Sequence, residues 1–196
     1  MFNFDNSNGS ITLITGPMWS GKTSELYKML NMYQGVFQEG EIILLRFKSA
    51  DNRDESERVL PGLDKCIKII STSELKIQLF SNIMDKIKVI GIDEGQFFNG
   101  LRGMCLALSD TYMKNVIVSG LNGDFKRNEF SEISSLIPIV DNIILKHSLC
   151  CECKDGTKGI FSIKTTNKGD DQIEIGGGDL YKTVCRKHYN YFKTTD

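Results

Sequence analysis

Residues 16–23 read Gly-Pro-Met-Trp-Ser-Gly-Lys-Thr and match the spacing G-x-x-x-x-G-K-[ST]. That spacing suits a phosphate chain, because glycines let the backbone curl until successive N–H groups face an anion with no side chain in the way. Lys22 would reach the β- and γ-phosphates, and the Thr23 hydroxyl would ligate Mg²⁺. A helix starting here would aim its N-terminal partial charge at the same anion. Gly16, Pro17, Met18, Trp19, Ser20, Gly21, Lys22 and Thr23 are therefore candidates for binding ATP.

A second cluster is acidic. The apolar run VIGI at 89–92 ends abruptly in Asp93 and Glu94. Asp93 is placed to hold Mg²⁺ directly or through water. Glu94, one residue on, is free for another task. If the acceptor is a sugar hydroxyl, that task is general base.

A third cluster is C-terminal. Cys150-x-x-Cys153 and Cys185-x-x-His188 are two chelating halves separated by residues 154–184. Each half offers two of the four N/S ligands of a tetrahedral structural Zn²⁺. A redox C-x-x-C pair would leave Cys185 and His188 unexplained. Cys151, Cys66 and Cys105 read as inert thiols, and His147 as a surface or packing residue.

Strands and helices must position these groups. Residues 11–15, 42–47, 89–92, 116–118 and 143–145 are short apolar runs of strand character. Between them, helical spacing places Leu26, Met29, Leu30 and Tyr33 on one face. The same spacing groups Leu79, Phe80, Ile83 and Met84 within 75–84, and Leu101, Met104, Cys105, Leu108 and Tyr112 further on. Residues 48–58, KSADNRDESER, read as a surface loop. Strands alternating with helices imply βαβ units, hence an α/β fold with a mainly parallel sheet. The character changes near 146–149, which divides the chain into 1–147 and a small unit, 148–196. The first unit has its own core, so ATP binding is expected to survive loss of the metal.

Composition narrows the class. The chain has 196 residues, 40% hydrophobic and 25% charged, with a formal net charge of −1. Bulk disorder is excluded, and a dedicated duplex-binding surface would carry a basic excess. No apolar run is long enough to span a bilayer. The N-terminal stretch lacks the pattern of a secretory signal. Free thiols fit a reducing compartment, so a cytoplasmic location and no membrane partner are expected. A competing class is a P-loop ATPase whose zinc module binds nucleic acid. It predicts a basic, aromatic appendage, whereas residues 150–190 mix Glu152, Asp155, Asp170, Asp171, Glu174 and Asp179 with their lysines.

Together GPMWSGKT, DNR at 51–53, IGIDEGQFF at 90–98, GLNGDF at 120–125, CCEC and QIEIGGGDLYKTVCRKHY at 172–189 resemble the type II thymidine kinase family. The resemblance spans nearly the whole chain. It implies a RecA-like P-loop domain with a zinc-bearing lasso, and transfer of the ATP γ-phosphate to the 5′-hydroxyl of thymidine. By resemblance Glu94 is the catalytic base and Asp93 the magnesium-side acid. Gln96 and Phe97 are neighbours that shape the nucleoside site, Gln96 counting also among the cofactor-binding residues, while Met18, Leu121 and Phe125 wall the base. Tyr181 with the segment around Gln172, Ile173, Ile175 and Gly176 holds the thymine edge, and Ser162 or Ile163 meets the base. Asp51 and Arg53 fall in a loop near the phosphates. The family commonly forms homotetramers and is inhibited by thymidine triphosphate. Trp19 stands where Phe is usual, and Asn122 where Asp is common.

Overall fold

The computed structural model describes residues 8–48, 67–165 and 180–195. The expected α/β fold is present. Six strands form one parallel sheet: β1 (Ser10–Gly16), β2 (Ile42–Phe47), β3 (Ile67–Thr72), β4 (Val89–Asp93), β5 (Asn115–Leu121) and β6 (Asn142–Leu145). Their order is β3-β2-β4-β5-β1-β6, with every pairing parallel.

Period-two alternation explains why the sheet is apolar on both sides. Ile14, Ile42, Leu44, Val89 and Ile117 face helix α1 (Lys22–Gln34), which buries Leu26, Tyr27, Met29 and Leu30 against them. Leu13, Ile43, Leu45, Ile90, Ile92 and Val118 face the other way, under Phe80, Phe98, Leu101 and Leu108. At Gly91 the helix comes so close that an added Cβ would lie 2.8 Å from Leu30.

Two sequence expectations change, and two elements are new. Residues 75–84 do not form an α-helix; a 3₁₀ turn (Ile77–Phe80) and further turns replace it. Its bonds close at three residues, as from Leu79 N–H to Lys76 O and Ile83 N–H to Phe80 O. The Ser81 hydroxyl also donates to Gln78 O, competing with a longer-range helical bond. Helix α2 (Leu101–Leu106) runs into a π-turn (Ala107–Thr111), which turns Tyr112 out of the expected buried face to 38% exposure. Strand β3 and the short helix α3 (Ser131–Ser134) were not anticipated.

After β6 the chain leaves the sheet. Strands β7 (Ser148–Leu149) and β8 (Lys158–Gly159) pair antiparallel, as do β9 (Phe161–Lys164) and β10 (Tyr181–Val184); helix α4 (Arg186–Thr195) follows. Cys150, Val184, Cys185 and Tyr189 form a separate small core. No helix among the described residues is long and apolar enough to cross a membrane.

Candidate active site

β1 sits between β5 and β6, so the loop that follows it opens at the carboxyl edge of the sheet, beside the ends of β4 and β5. Gly21 precedes α1 in a left-handed conformation (φ 77°), and no side chain caps the helix. The first-turn N–H groups are thus left to an anion, as the motif requires. The Lys22 ammonium folds back to donate to Pro17 O at 2.8 Å. Burial lowers its pKa, while the charges of Glu94 and Asp93 oppose that shift. The buried Ser20 hydroxyl has no hydrogen-bond partner among the described residues. An orphaned donor in a glycine-bearing loop with an uncapped helix fits a phosphate chain.

Asp93 ends β4 and is buried. Its Oδ1 accepts from the Thr23 hydroxyl at 3.1 Å, from the Ser119 hydroxyl and from the Glu94 N–H at 3.2 Å. Burial, reinforced by the Glu94 charge, pushes its pKa up to about 6. A buried carboxylate beside a hydroxyl is a donor pair suited to a hard divalent cation, which would supply the positive charge it lacks.

Glu94 takes a left-handed backbone (φ 57°) and is half-buried. The break from strand geometry turns its side chain off the sheet's alternation. Gln96 holds it there: Nε2 donates to Glu94 Oε2 at 2.7 Å, and Oε1 accepts the Leu121 N–H at 3.1 Å. One buried amide thus ties the acid to the end of β5. Phe97 packs against Phe47 at 5.0 Å between ring centroids, and Phe125 faces Tyr181 at 6.5 Å.

The four predicted metal ligands converge. Their ligand atoms all lie within 4.8 Å of one another. His188 Nδ1 is 3.5, 3.3 and 3.4 Å from the sulfurs of Cys150, Cys153 and Cys185, and Cys153 and Cys185 are 3.7 Å apart. A tetrahedron with Zn–S near 2.3 Å and Zn–N near 2.0 Å has edges of about 3.5–3.8 Å, so the cluster fits Zn²⁺. Burial disfavours the Cys150 thiolate, but backbone N–H groups of Cys185, Cys153 and Glu152 outweigh it and bring its pKa to about 6. Desolvation and hydrogen bonds to Cys150 and Cys185 hold the Cys153 thiol up at about 11, and a bound cation would favour its thiolate. Cys105 is buried, which pushes its thiol up to about 12. His147 is exposed.

The unit that carries the Cys₃His cluster touches the phosphate loop. The Ser162 hydroxyl accepts the Met18 N–H at 3.1 Å, the Thr183 hydroxyl donates to Met18 O at 2.9 Å, and the Trp19 indole N–H donates to Tyr181 O at 3.3 Å. Of the two neighbours singled out in the sequence, Ser162 faces the loop and Ile163 packs on the metal cluster's core. From the other side, Arg127 stacks its guanidinium 4.4 Å from the Tyr189 ring centroid, and the Tyr189 hydroxyl donates to Phe125 O. Asp124 shapes that turn by accepting the N–H groups of Lys126 and Asn128. Asp51, Arg53, Gln172, Ile173, Ile175 and Gly176 lie outside the described residues.

Sequence reasoning did not single out Ser119, Thr183, Asp124 or Arg127. The available signal for Ser119 was a hydroxyl interrupting the apolar run of β5.

The sequence is similar to that of known proteins over most of its length. A family model described as thymidine kinase matches residues 9–189. The thymidine kinase of Choristoneura fumiferana entomopoxvirus is 42% identical over 187 residues, covering 92% of this chain and 96% of that protein. The thymidine kinase of Myxoma virus (strain Uriarra) is 35% identical over 187 residues, with 92% and 96% coverage. The thymidine kinase of Oryza sativa subsp. japonica is 34% identical over 184 residues, covering 92% of this chain and 66% of that protein. The match takes in the phosphate loop, the acid pair and the Cys₃His cluster alike, and by it the chain belongs to the thymidine kinase family.

Proposed function

We propose that this protein transfers the γ-phosphate of ATP to the 5′-hydroxyl of thymidine, giving thymidine monophosphate. The observation that carries the reading is the placement of Glu94, fixed by Gln96 beside Asp93 and near enough for its charge to act on Lys22 of the phosphate loop. Binding alone would not call for a carboxylate locked at that point.

Glu94 accepts the 5′-hydroxyl proton as the acceptor oxygen attacks. Lys22 leaves Pro17 O to meet the phosphates, and the backbone N–H groups from Trp19 to Thr23 hold them in line. Thr23 and Asp93 would hold Mg²⁺, whose chemistry is to offset charge on the β- and γ-phosphates. Met18, Phe97, Leu121, Phe125, Ser162 and Tyr181 form the nucleoside side, joined by the segment containing Gln172, Ile173, Ile175 and Gly176. Asp51 and Arg53 act near the phosphates. Zn²⁺ on Cys150, Cys153, Cys185 and His188 is structural: it closes the base of a long loop, offsetting a few kcal/mol of closure entropy. We divide the chain into a kinase unit, 1–147, and a lasso unit, 148–196. A homotetramer, inhibition by thymidine triphosphate and a cytoplasmic location complete the reading.

Transfer of radiolabelled γ-phosphate from ATP to thymidine, with deoxycytidine and deoxyuridine alongside, tests it. Label appearing in thymidine monophosphate is expected. ATP hydrolysis without labelled nucleotide would overturn the proposal, and tight single-stranded DNA binding would then favour the ATPase class.

A further inference from the structure

The phosphate loop does not stand on the kinase unit alone. Ser162 and Thr183 are cross-strand partners in the β9–β10 register, both buried at 5% and 3% exposure. Their hydroxyls grip one residue of the loop, Met18: Ser162 takes its N–H and Thr183 gives to its carbonyl. The next residue, Trp19, is non-glycine in the left-handed region (φ 59°) and anchors by its indole to Tyr181 O, on the same strand as Thr183. Such a backbone persists only where its surroundings hold it. Lys22 braces the loop from inside, through Pro17 O.

We infer that Thr183 is a positioning residue of the ATP site: through Met18 O it holds the phosphate loop in its phosphate-ready shape from the zinc module. The inference rests on the phosphate-loop reading above. Without the Thr183 hydroxyl, the Met18 carbonyl loses its donor and the strained Trp19 backbone can relax. ATP then binds only the fraction of molecules in which the loop has returned, so its apparent affinity falls by that fraction. Thr183 lies two residues before the ligand Cys185, so the metal's hold on β10 reaches the loop through one strand. ATP binding is then not independent of the zinc module, contrary to the expectation from separate cores.

The test uses full-length, zinc-loaded protein and Thr183→Val, which keeps the shape and removes the hydroxyl. The Kd for ATP without thymidine is read from Trp19 fluorescence and checked by calorimetry, with zinc content and Tm measured in parallel. Losing a buried hydrogen bond to a strained loop predicts about 5- to 30-fold weaker ATP binding at full zinc stoichiometry. Thr183→Ser, which keeps the hydroxyl, should restore wild-type affinity. A merely structural role would lower Tm and the active fraction while leaving Kd of the folded protein unchanged. Overturning results are an unchanged Kd in Thr183→Val, or Thr183→Ser as weak as Thr183→Val. If Thr183→Val does not fold, Ser162→Ala removes the acceptor of the Met18 N–H and is judged by the same Kd shift. Failure of wild type to bind ATP would instead defeat the phosphate-loop reading itself.

Discussion

Gln96→Met offers a sharp test of how the acid is positioned. The side chain keeps its length and volume but loses both polar ends, and two bonds go with them. The first, to Glu94 Oε2 at 2.7 Å, is charge-assisted; such bonds contribute about 1.5–3 kcal/mol. If that energy is spent on orienting Glu94 in the transition state, kcat falls about 10- to 100-fold. The second bond, at 3.1 Å, satisfies the Leu121 N–H. Leaving that donor unpaired costs about 1–3 kcal/mol of stability, or a Tm lower by about 3–10 °C at this chain length. The two effects separate in a paired assay: steady-state phosphoryl transfer for kcat and KM, and thermal unfolding for Tm. The ATP KM should stay within about twofold, since the hydrogen bonds of Gln96 run to Glu94 and Leu121 rather than to the loop. A variant with the lower Tm but an unchanged kcat would falsify the positioning role, leaving Gln96 a purely structural tie.

Other outcomes follow from the same geometry. Glu94→Gln retains shape and hydrogen bonding but cannot accept a proton, so kcat should fall about 10²–10⁴-fold with ATP affinity little changed, as isothermal calorimetry can check. Lys22→Ala should abolish most turnover, read in single-turnover transfer assays, because charge and positioning dominate phosphoryl transfer. Asp93→Asn should abolish phosphoryl transfer in Mg²⁺-containing buffer, yet in metal-free buffer it should raise stability at pH 7–8 by about 1–3 kcal/mol in denaturant titrations. The sign comes from a carboxyl whose folded pKa, about 6, lies above its unfolded value: wild type loses stability as pH rises between the two. The advantage of the amide should therefore vanish as pH falls toward 4. Cys185→Ser should lose its metal by elemental analysis and weaken thymidine binding; a variant that keeps full zinc would count against the four-ligand site.

What could be read from the sequence was what local spacing encodes. The phosphate loop, the acid pair after β4 and the two metal knuckles each sit within a few residues, and the structure brings their partners together. What escaped depends on register between distant segments. Thr183 meets Met18 across 165 positions, and Ser119 reaches Asp93 only because β5 lies beside β4. Gln96 could be placed near the site, but not as the link between Glu94 and Leu121, since that needs the positions of both strand ends. Residues 75–84 misled for another reason. A stripe at spacings of three and four residues fits an α-helix and a run of 3₁₀ turns alike, and the choice fell to Ser81 and the short passage from β3 to β4.

Gly91 sets a clearance for the chemistry. Thr23 rides on the first turn of α1 and Asp93 ends β4, and their oxygens lie 3.1 Å apart. Two residues before Asp93, the terminal methyl groups of Leu30 and Leu26 rest on the bare glycine backbone, 2.8 and 3.3 Å from where a side-chain carbon would be. Both leucines are fully buried, so their methyl groups could turn away only by pressing on packed neighbours. A single added carbon would act as a shim between helix and strand, lifting α1 and its threonine away from the carboxylate. The site's metric precision is therefore machined by a residue with no functional group at all, and fixed by the absence of one methyl.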